Sequence, residues 1–495
     1  MRRALILFSL VLVIVLAVSC TSKVADTNAL ADPIKVDTGY ISGTIIGDAG
    51  KEVRIYRGIP YAAPPVGDLR WKPPQPAASW TGIRECTVFS KSPIQPTPSM
   101  DPIDASQSED CLNLNVLTPA KKAADNLPVM VWLHGGGYTV GSGSSQLFNL
   151  PRLPQNGVVL VTINMRLGAM GLLAHPLLSK ESSKGISGNY LFFDMIAALE
   201  WIQRNIAAFG GDSKNVTIFG ESGGGAKVHC LMASPLAKGL FQKGIFESGA
   251  AAGFSPGKDM KNLEAKGEKL FAKLGVDKDA DPLKAARALP STKILEIEAR
   301  LSKELKDDLW DSAIDQVFLK DLPANIFREG KQNPMPVITS ANLGELTGPG
   351  MILMPFIIPD YVNILGGVNK SGHEGYACIF DHVPSKWKQE GCVSFHALEL
   401  GYIFGNWDRS SLWWPNAHFL AKPSGAKSLD PGLTDVDRKV SENMMAMWAQ
   451  FARTGNPNVE GMIAWPAYES AADPYLYIAE PLQVKSGFSK VAQKK

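Results

Sequence analysis

Val216-Thr217-Ile218-Phe219-Gly220-Glu221-Ser222-Gly223-Gly224, continued by Ala226 to Met232, is the stretch on which the reading of the fold turns. Val216–Phe219 is an apolar run of strand length, and Ala226–Met232 suits a helix. Between them stands Gly-x-Ser-x-Gly, with glycines where two backbones must crowd. A serine on so sharp a strand–turn–helix junction presents its hydroxyl at the end of a sheet. The helix N-terminus and the backbone N–H of Gly223 then face any negative charge that develops beside it. Ser222 therefore reads as a nucleophile. The bare pattern is weak evidence, because it occurs twice. The second copy, Gly253-Phe254-Ser255-Pro256-Gly257, fails on chemistry: proline has no N–H, so the residue after Ser255 cannot donate to an oxyanion.

Working outward, Pro128–Leu133, Gly157–Asn164 and Lys243–Glu247 are further apolar runs of strand length. Asp194–Phe209 separates two of them, and its Met195, Ile196, Leu199, Ile202 and Ile206 follow helical spacing. Strands alternating with helices indicate an α/β fold, with a mostly parallel sheet covered on both faces. Val129–Leu133 runs directly into His134-Gly135-Gly136-Gly137-Tyr138. Three consecutive glycines let a backbone approach a ligand and aim N–H groups at it, so Gly136 and Gly137 are expected to complete an oxyanion hole with Gly223. His134 precedes that hole and reads as structural. Lys258–Asp308, rich in Lys, Glu and Leu, reads as a solvated helical excursion without chemistry.

The chain has 495 residues, 45% hydrophobic and 20% charged, enough for a large core. Its 50 basic and 48 acidic side chains give +2, and loss of Arg2 and Arg3 with a leader brings this to zero. Neutrality without a basic run speaks against a nucleic-acid partner. Arg2 and Arg3 followed by the apolar Ala4–Val18 read as a signal peptide over residues 1–19. Leu16-Ala17-Val18-Ser19-Cys20 resembles a lipobox, which makes Cys20 a lipidation site and gives an exported protein, anchored at the membrane or secreted. Residues 20–35 read as a tether and 36–490 as a single domain. Export permits disulfides. Cys86 and Cys111 bracket a Pro-rich surface segment, and a bridge between them is expected to stabilise by about 3 kcal/mol on loop-entropy arithmetic. Cys378 and Cys392 are a second candidate pair, and Cys230 reads as a buried apolar residue.

These pieces resemble the type B carboxylesterase and cholinesterase family over nearly the whole mature chain. Arg57-Gly58-Ile59-Pro60-Tyr61-Ala62-Ala63-Pro64-Pro65-Val66-Gly67 is similar to its N-terminal block, and Ser108-Glu109-Asp110-Cys111-Leu112-Asn113-Leu114-Asn115 to its second signature. Asn164–Gly168, Gly188–Tyr190, Gln203–Ser222, Trp448–Pro457 and Ala464–Pro466 follow in order. The resemblance implies the α/β-hydrolase fold, a large mostly parallel central sheet with helices on both faces. It also places the rest of a triad. Glu345 lies in Asn342-Leu343-Gly344-Glu345-Leu346, which departs from the family pattern at Gly344 and Leu346. His396 precedes Glu399-Leu400-Gly401-Tyr402-Ile403-Phe404-Gly405, and the order Ser, Glu, His is that of α/β-hydrolases. Glu221, Ser248 and Glu399 resemble the polar network beside the triad. Arg70 with Glu109, and Arg166 with Asp194, resemble structural ion pairs. The histidines at 134, 175, 229, 373, 382 and 418 lack such context.

The chemistry so implied is hydrolysis of a small-molecule ester through an acyl-enzyme, with no metal or organic cofactor. Two alternatives stand beside it: a lipase, and a catalytically silent binding member of the fold, against which the presence of all three triad residues argues. A cholinesterase fits poorly, because Pro93–Gln107 has no tryptophan to offer a quaternary ammonium. Only 50 residues separate Glu345 from His396, and they include the apolar run Met351–Ile358. That trimmed interval leads to the expectation of a shallow, wide site that accepts bulky or aromatic esters, unless Lys258–Asp308 folds over and refills the gap.

Overall fold

The apolar runs pair into one eleven-stranded sheet. Its strands are β1 (Thr44–Ile46), β2 (Val53–Pro60), β3 (Asn113–Thr118), β4 (Leu127–Leu133), β5 (Val159–Ile163), β6 (Gly211–Glu221), β7 (Lys243–Glu247), β8 (Val337–Asn342), β9 (Gly375–Phe380), β10 (Pro474–Ile478) and β11 (Gln483–Ser486). Across the sheet the order is β11-β10-β9-β8-β7-β6-β4-β5-β3-β2-β1. The stretch from β10 to β5 is parallel throughout, and both margins are antiparallel. This computed structural model describes residues 30, 32–96, 106–250, 257–307, 309–345, 354–408 and 425–493.

Parallel strands lie between layers, so their side chains are buried on both faces. Every residue of β5, β7, β8 and β9 is buried. Along β4, Val129, Val131 and Leu133 join one core, while Met130 and Trp132 join the other. The first core holds Leu199 and Ile202 of α1 (Tyr190–Asn205), Val228 and Leu231 of α2 (Gly223–Ala233), and Ile364 of a long helix over Met354–Lys370. The second holds Val440, Met444 and Trp448 of the helix Asp435–Thr454. Helices therefore cover both faces, as the alternation of elements requires.

Register sets where the site forms. Glu221 at the end of β6 pairs with Glu247 at the end of β7, and Glu247 pairs with Ser340 near the end of β8. The carboxyl ends of three adjacent parallel strands thus open onto one edge, the usual place for a ligand in such sheets. Two ion pairs, one buried and one partly buried, brace the surroundings, as the resemblance implied. Arg70 grips Glu109 through two hydrogen bonds of 2.7 and 2.6 Å, and Arg166 grips Asp194 through two of 2.9 and 2.6 Å.

Three sequence expectations need correction or narrowing. The tether boundary at 35 falls inside a short strand, Ile34–Val36, and Leu30 is already buried, its N–H donating to the Lys121 carbonyl. Cys86 and Cys111 are buried thiols and not a disulfide, and Cys378 and Cys392 are not bridged either. The two described ends of the segment between Cys86 and Cys111 are tied down by noncovalent contacts. Backbone pairing ties Cys86 to Ser42 and Arg57, and Arg70 holds Glu109, two residues before Cys111. Of the apolar run Met351–Ile358, Ile357 and Ile358 are buried in the core while Pro355 is exposed, so the described part is mostly core and not a wall of an open site. Cys20 and Ser255 lie outside the described residues.

Candidate active site

β6 ends at Glu221 and α2 begins at Gly223, which leaves Ser222 alone at the junction with φ 56° and ψ −121°. A side chain makes that backbone conformation costly, and it persists only where the surroundings enforce it. They do so by contact. The Ser222 N–H donates to the Glu247 carbonyl at 2.8 Å. A Cβ on Gly249 would stand 1.9 Å from the Ser222 carbonyl oxygen, and one on Gly224 2.1 Å from that of Leu133. The glycine-rich turn is therefore a packing requirement.

The expected oxyanion donors are neighbours in space. A Cβ on Gly223 would lie 2.3 Å from the Gly137 oxygen and 2.6 Å from its nitrogen, so the two backbones touch. Gly136 and Gly137 have φ of 81° and 61°, which only glycine adopts at little cost. His134 is fully buried with Nδ1 3.0 Å from the Gly135 carbonyl, which agrees with a structural role.

Glu345 and His396 meet although 51 positions apart. His396 Nδ1 lies 2.7 Å from Glu345 Oε2, and the other Glu345 oxygen accepts the Asn342 N–H at 2.7 Å. On the far side of the ring, His396 Nε2 lies 3.1 Å from Glu221 Oε1. Burial opposes a charge on His396, but Glu221, Glu345 and Glu399 together outweigh it and push its pKa up to about 9. Ser248 Oγ stands 3.4 Å from Glu399 Oε1, and the Asn342 amide donates to both Glu399 and Ser248. Burial, reinforced by Glu345, raises Glu399 to about 7.

Three participants are not evident from the sequence. Asn342 ties Ser248, Glu399 and Glu345 together; its one signal is its place at the head of the Asn-x-x-Glu run. Glu247 is fully buried, accepts the Trp448 indole N–H at 2.6 Å, and is held well above the carboxylate range by burial and by Glu399. The family pattern points to its neighbour Ser248 and not to it. Lys227 lies in the apolar helix α2 with no exposed surface, and a charged residue amid apolar ones is the available signal.

A sheet with this elbow at the carboxyl end of a central strand defines the α/β-hydrolase class. A family model described as the carboxylesterase family matches residues 31–361 and 354–494, and the chain belongs to that family. It is a serine esterase acting on carboxylic esters. It is 40% identical to the fumonisin B1 esterase of Sphingopyxis macrogoltabida over 86% of this chain and 84% of that one. It is 31% identical to the para-nitrobenzyl esterase of Bacillus subtilis over 91% and 96%. A solved thermophilic para-nitrobenzyl esterase superposes with a TM-score of 0.75 at 29% identity, covering 91% of this chain and 97% of that one. The resemblance read from the sequence is thus the right family, and relatives of this kind do not favour the lipase or the silent binding reading.

Proposed function

We propose that Ser222, His396 and Glu345 carry the hydrolysis. His396 takes the Ser222 proton as the hydroxyl attacks the ester carbonyl, while Glu345 holds the Nδ1–H tautomer and offsets the charge that forms. The N–H groups of Gly136, Gly137 and Gly223 receive the oxyanion, and loss of such a donor costs about 3 kcal/mol in the transition state. Water then cleaves the acyl-enzyme through the same histidine. The observation that supports this most directly is the 2.7 Å contact of His396 with Glu345, on the same strand ends as the strained Ser222 junction. Glu221, Ser248 and Glu399 orient the imidazole. Labelling with a fluorophosphonate tests the assignment: the intact chain should be modified stoichiometrically at Ser222. Ser222→Ala should lose turnover by several orders of magnitude, and Ser255→Ala should keep it. The reverse ranking would remove the assignment.

The substrate reading is a bulky or aromatic ester. A cavity of about 380 Å³ lies beside Thr139, two residues past Gly137, and is walled by Leu167, Met170, Leu295, Leu309 and Trp310. Leu295 belongs to the helix Ser291–Leu305, so the Lys258–Asp308 segment walls this cavity; the short interval between Glu345 and His396 does not by itself leave the site open, and the reading rests on the cavity's size and apolar lining. The relatives named for fumonisin B1 and para-nitrobenzyl esters lend the same reading support. Apolar contact contributes about 0.8 kcal/mol per buried methylene, so kcat/KM should climb from acetates to larger acyl and aryl esters. A steep preference for acetate with bulky esters excluded would refute it.

Export with a lipid on Cys20 rests on the leader sequence alone. Cys20→Ser in the full chain should move the activity from the membrane to the soluble fraction.

A further inference from the structure

Lys227 is a lysine shut away from water. It sits on α2 one turn beyond Gly223, and burial pulls its ammonium down to about 7, against the opposing pull of the Glu221 carboxylate. A buried ammonium carries a large desolvation cost, and a methionine would fill the same space without it. Packing alone does not account for the residue. Its hydrogen bonds do: Nζ donates to the His134 carbonyl at 2.8 Å and to the Gly137 carbonyl at 2.9 Å, and lies 5.7 Å from the centre of the Tyr138 ring.

Those carbonyls belong to the peptide units 134–135 and 137–138. The two units between them carry the N–H groups of Gly136 and Gly137. Within the loop, the Gly136 carbonyl accepts from the N–H groups of Thr139 and Val140 at 3.3 and 3.1 Å, and the Gly135 carbonyl lies 3.0 Å from His134 Nδ1. Every carbonyl from 134 to 137 is thus held by the protein. A planar trans peptide points its N–H opposite to its carbonyl, so holding the carbonyls aims the donors. Glycines cannot hold such a path unaided.

We propose that Lys227 is a positioning residue that clamps both ends of the Gly135–Gly137 loop to the helix carrying the nucleophile, so that the loop's N–H groups meet the oxyanion together with that of Gly223. This rests on the reading of Gly136, Gly137 and Gly223 as the oxyanion hole. An ammonium has three N–H groups and an amine two, so either form holds both carbonyls.

The test compares Lys227→Met, which removes the donors at similar length, with Lys227→Gln, which keeps an NH2 group on a shorter stem. Both are made in the full chain and assayed on 4-nitrophenyl butyrate. Each is also titrated with a trifluoromethyl ketone, which forms a tetrahedral oxyanion on serine, and with butyrate, which does not. Lys227→Met should lower kcat about 10- to 100-fold with KM nearly unchanged, since a loosened donor costs less than the deleted one that defines the upper range. Affinity for the ketone should fall by a similar factor, butyrate binding should hold, and Lys227→Gln should recover part of the loss. A folded Lys227→Met with kcat within about twofold of the parent and only a lower melting temperature would overturn the proposal. So would failure of both variants to fold, which would assign the lysine to the core. Ser222→Ala separates the two readings. If it stays active the site assignment falls, and if it is dead while Lys227→Met is unimpaired only the clamp falls.

Discussion

His396 stands between Glu345 on one ring nitrogen and Glu221 on the other, with Glu399 nearby, and these carboxylates hold its pKa up at about 9 against the effect of burial. As the proposed general base, His396 must be neutral to accept a proton, so its working form is the minority at pH 7 and grows as pH rises. For the free enzyme, kcat/KM should therefore climb through neutral pH and level off only above about 9. Glu221 is the foremost of the groups that raise the histidine. Its replacement in Glu221→Gln removes an anion, which favours the neutral imidazole and moves the limb to lower pH, by about one unit or more. Rate profiles of the two proteins across the range from acid to alkaline decide the matter. A limb that stays in place, or moves upward, would show that Glu221 does not set the charge of His396.

At the scale of elements, the junction of β6 and α2 is close-packed backbone. Gly224 faces the Leu133 carbonyl so closely that a methyl group there forces a strand or a helix to shift. Gly224→Ala should cost at least about 1–3 kcal/mol and lower kcat, because the displaced parts carry Ser222 and the loop from His134 to Gly137. Gly366 is the opposite case. It lies in the helix Met354–Lys370, without positive φ, and a methyl group added to it would meet nothing within 4 Å. Gly366→Ala should stabilise by about 0.5–1 kcal/mol, since glycine in a helix loses more backbone entropy on folding than alanine. Denaturant melts of the two variants check both signs, and equal effects would mean that local crowding does not control this junction.

For the whole molecule, the thiols report on what holds the N-terminal third together. Burial pushes Cys86 and Cys392 up to about 11, and raises Cys111, Cys230 and Cys378 further. A thiol so shielded is a poor nucleophile. With the chain started at Thr21, a disulfide-exchange dye should react slowly with the native protein and then titrate five thiols in denaturant without reductant, matching the five cysteines that stand outside any disulfide among the described residues. A count two lower, with Cys86 and Cys111 protected, would restore the bridge.

What can be read without coordinates is mostly what is local or carried by an ordered family pattern. The elbow occupies Val216 to Met232, and its strand residues, glycines and helix formers act within a few turns of one another, so Ser222 is legible from chemistry alone. Glu345 and His396 come from motif resemblance and not from physics, since nothing in their own neighbourhoods says that they touch. The expected clip between Cys86 and Cys111 fails because spacing along a chain does not place two sulfurs within bonding geometry. Lys227, Glu247 and Asn342 become intelligible only in the fold. Their roles depend on the parallel register of β6, β7 and β8 and on burial beneath the loop after β4. Desolvation and long-range pairing arise between elements distant in sequence, so they are decided by the tertiary structure.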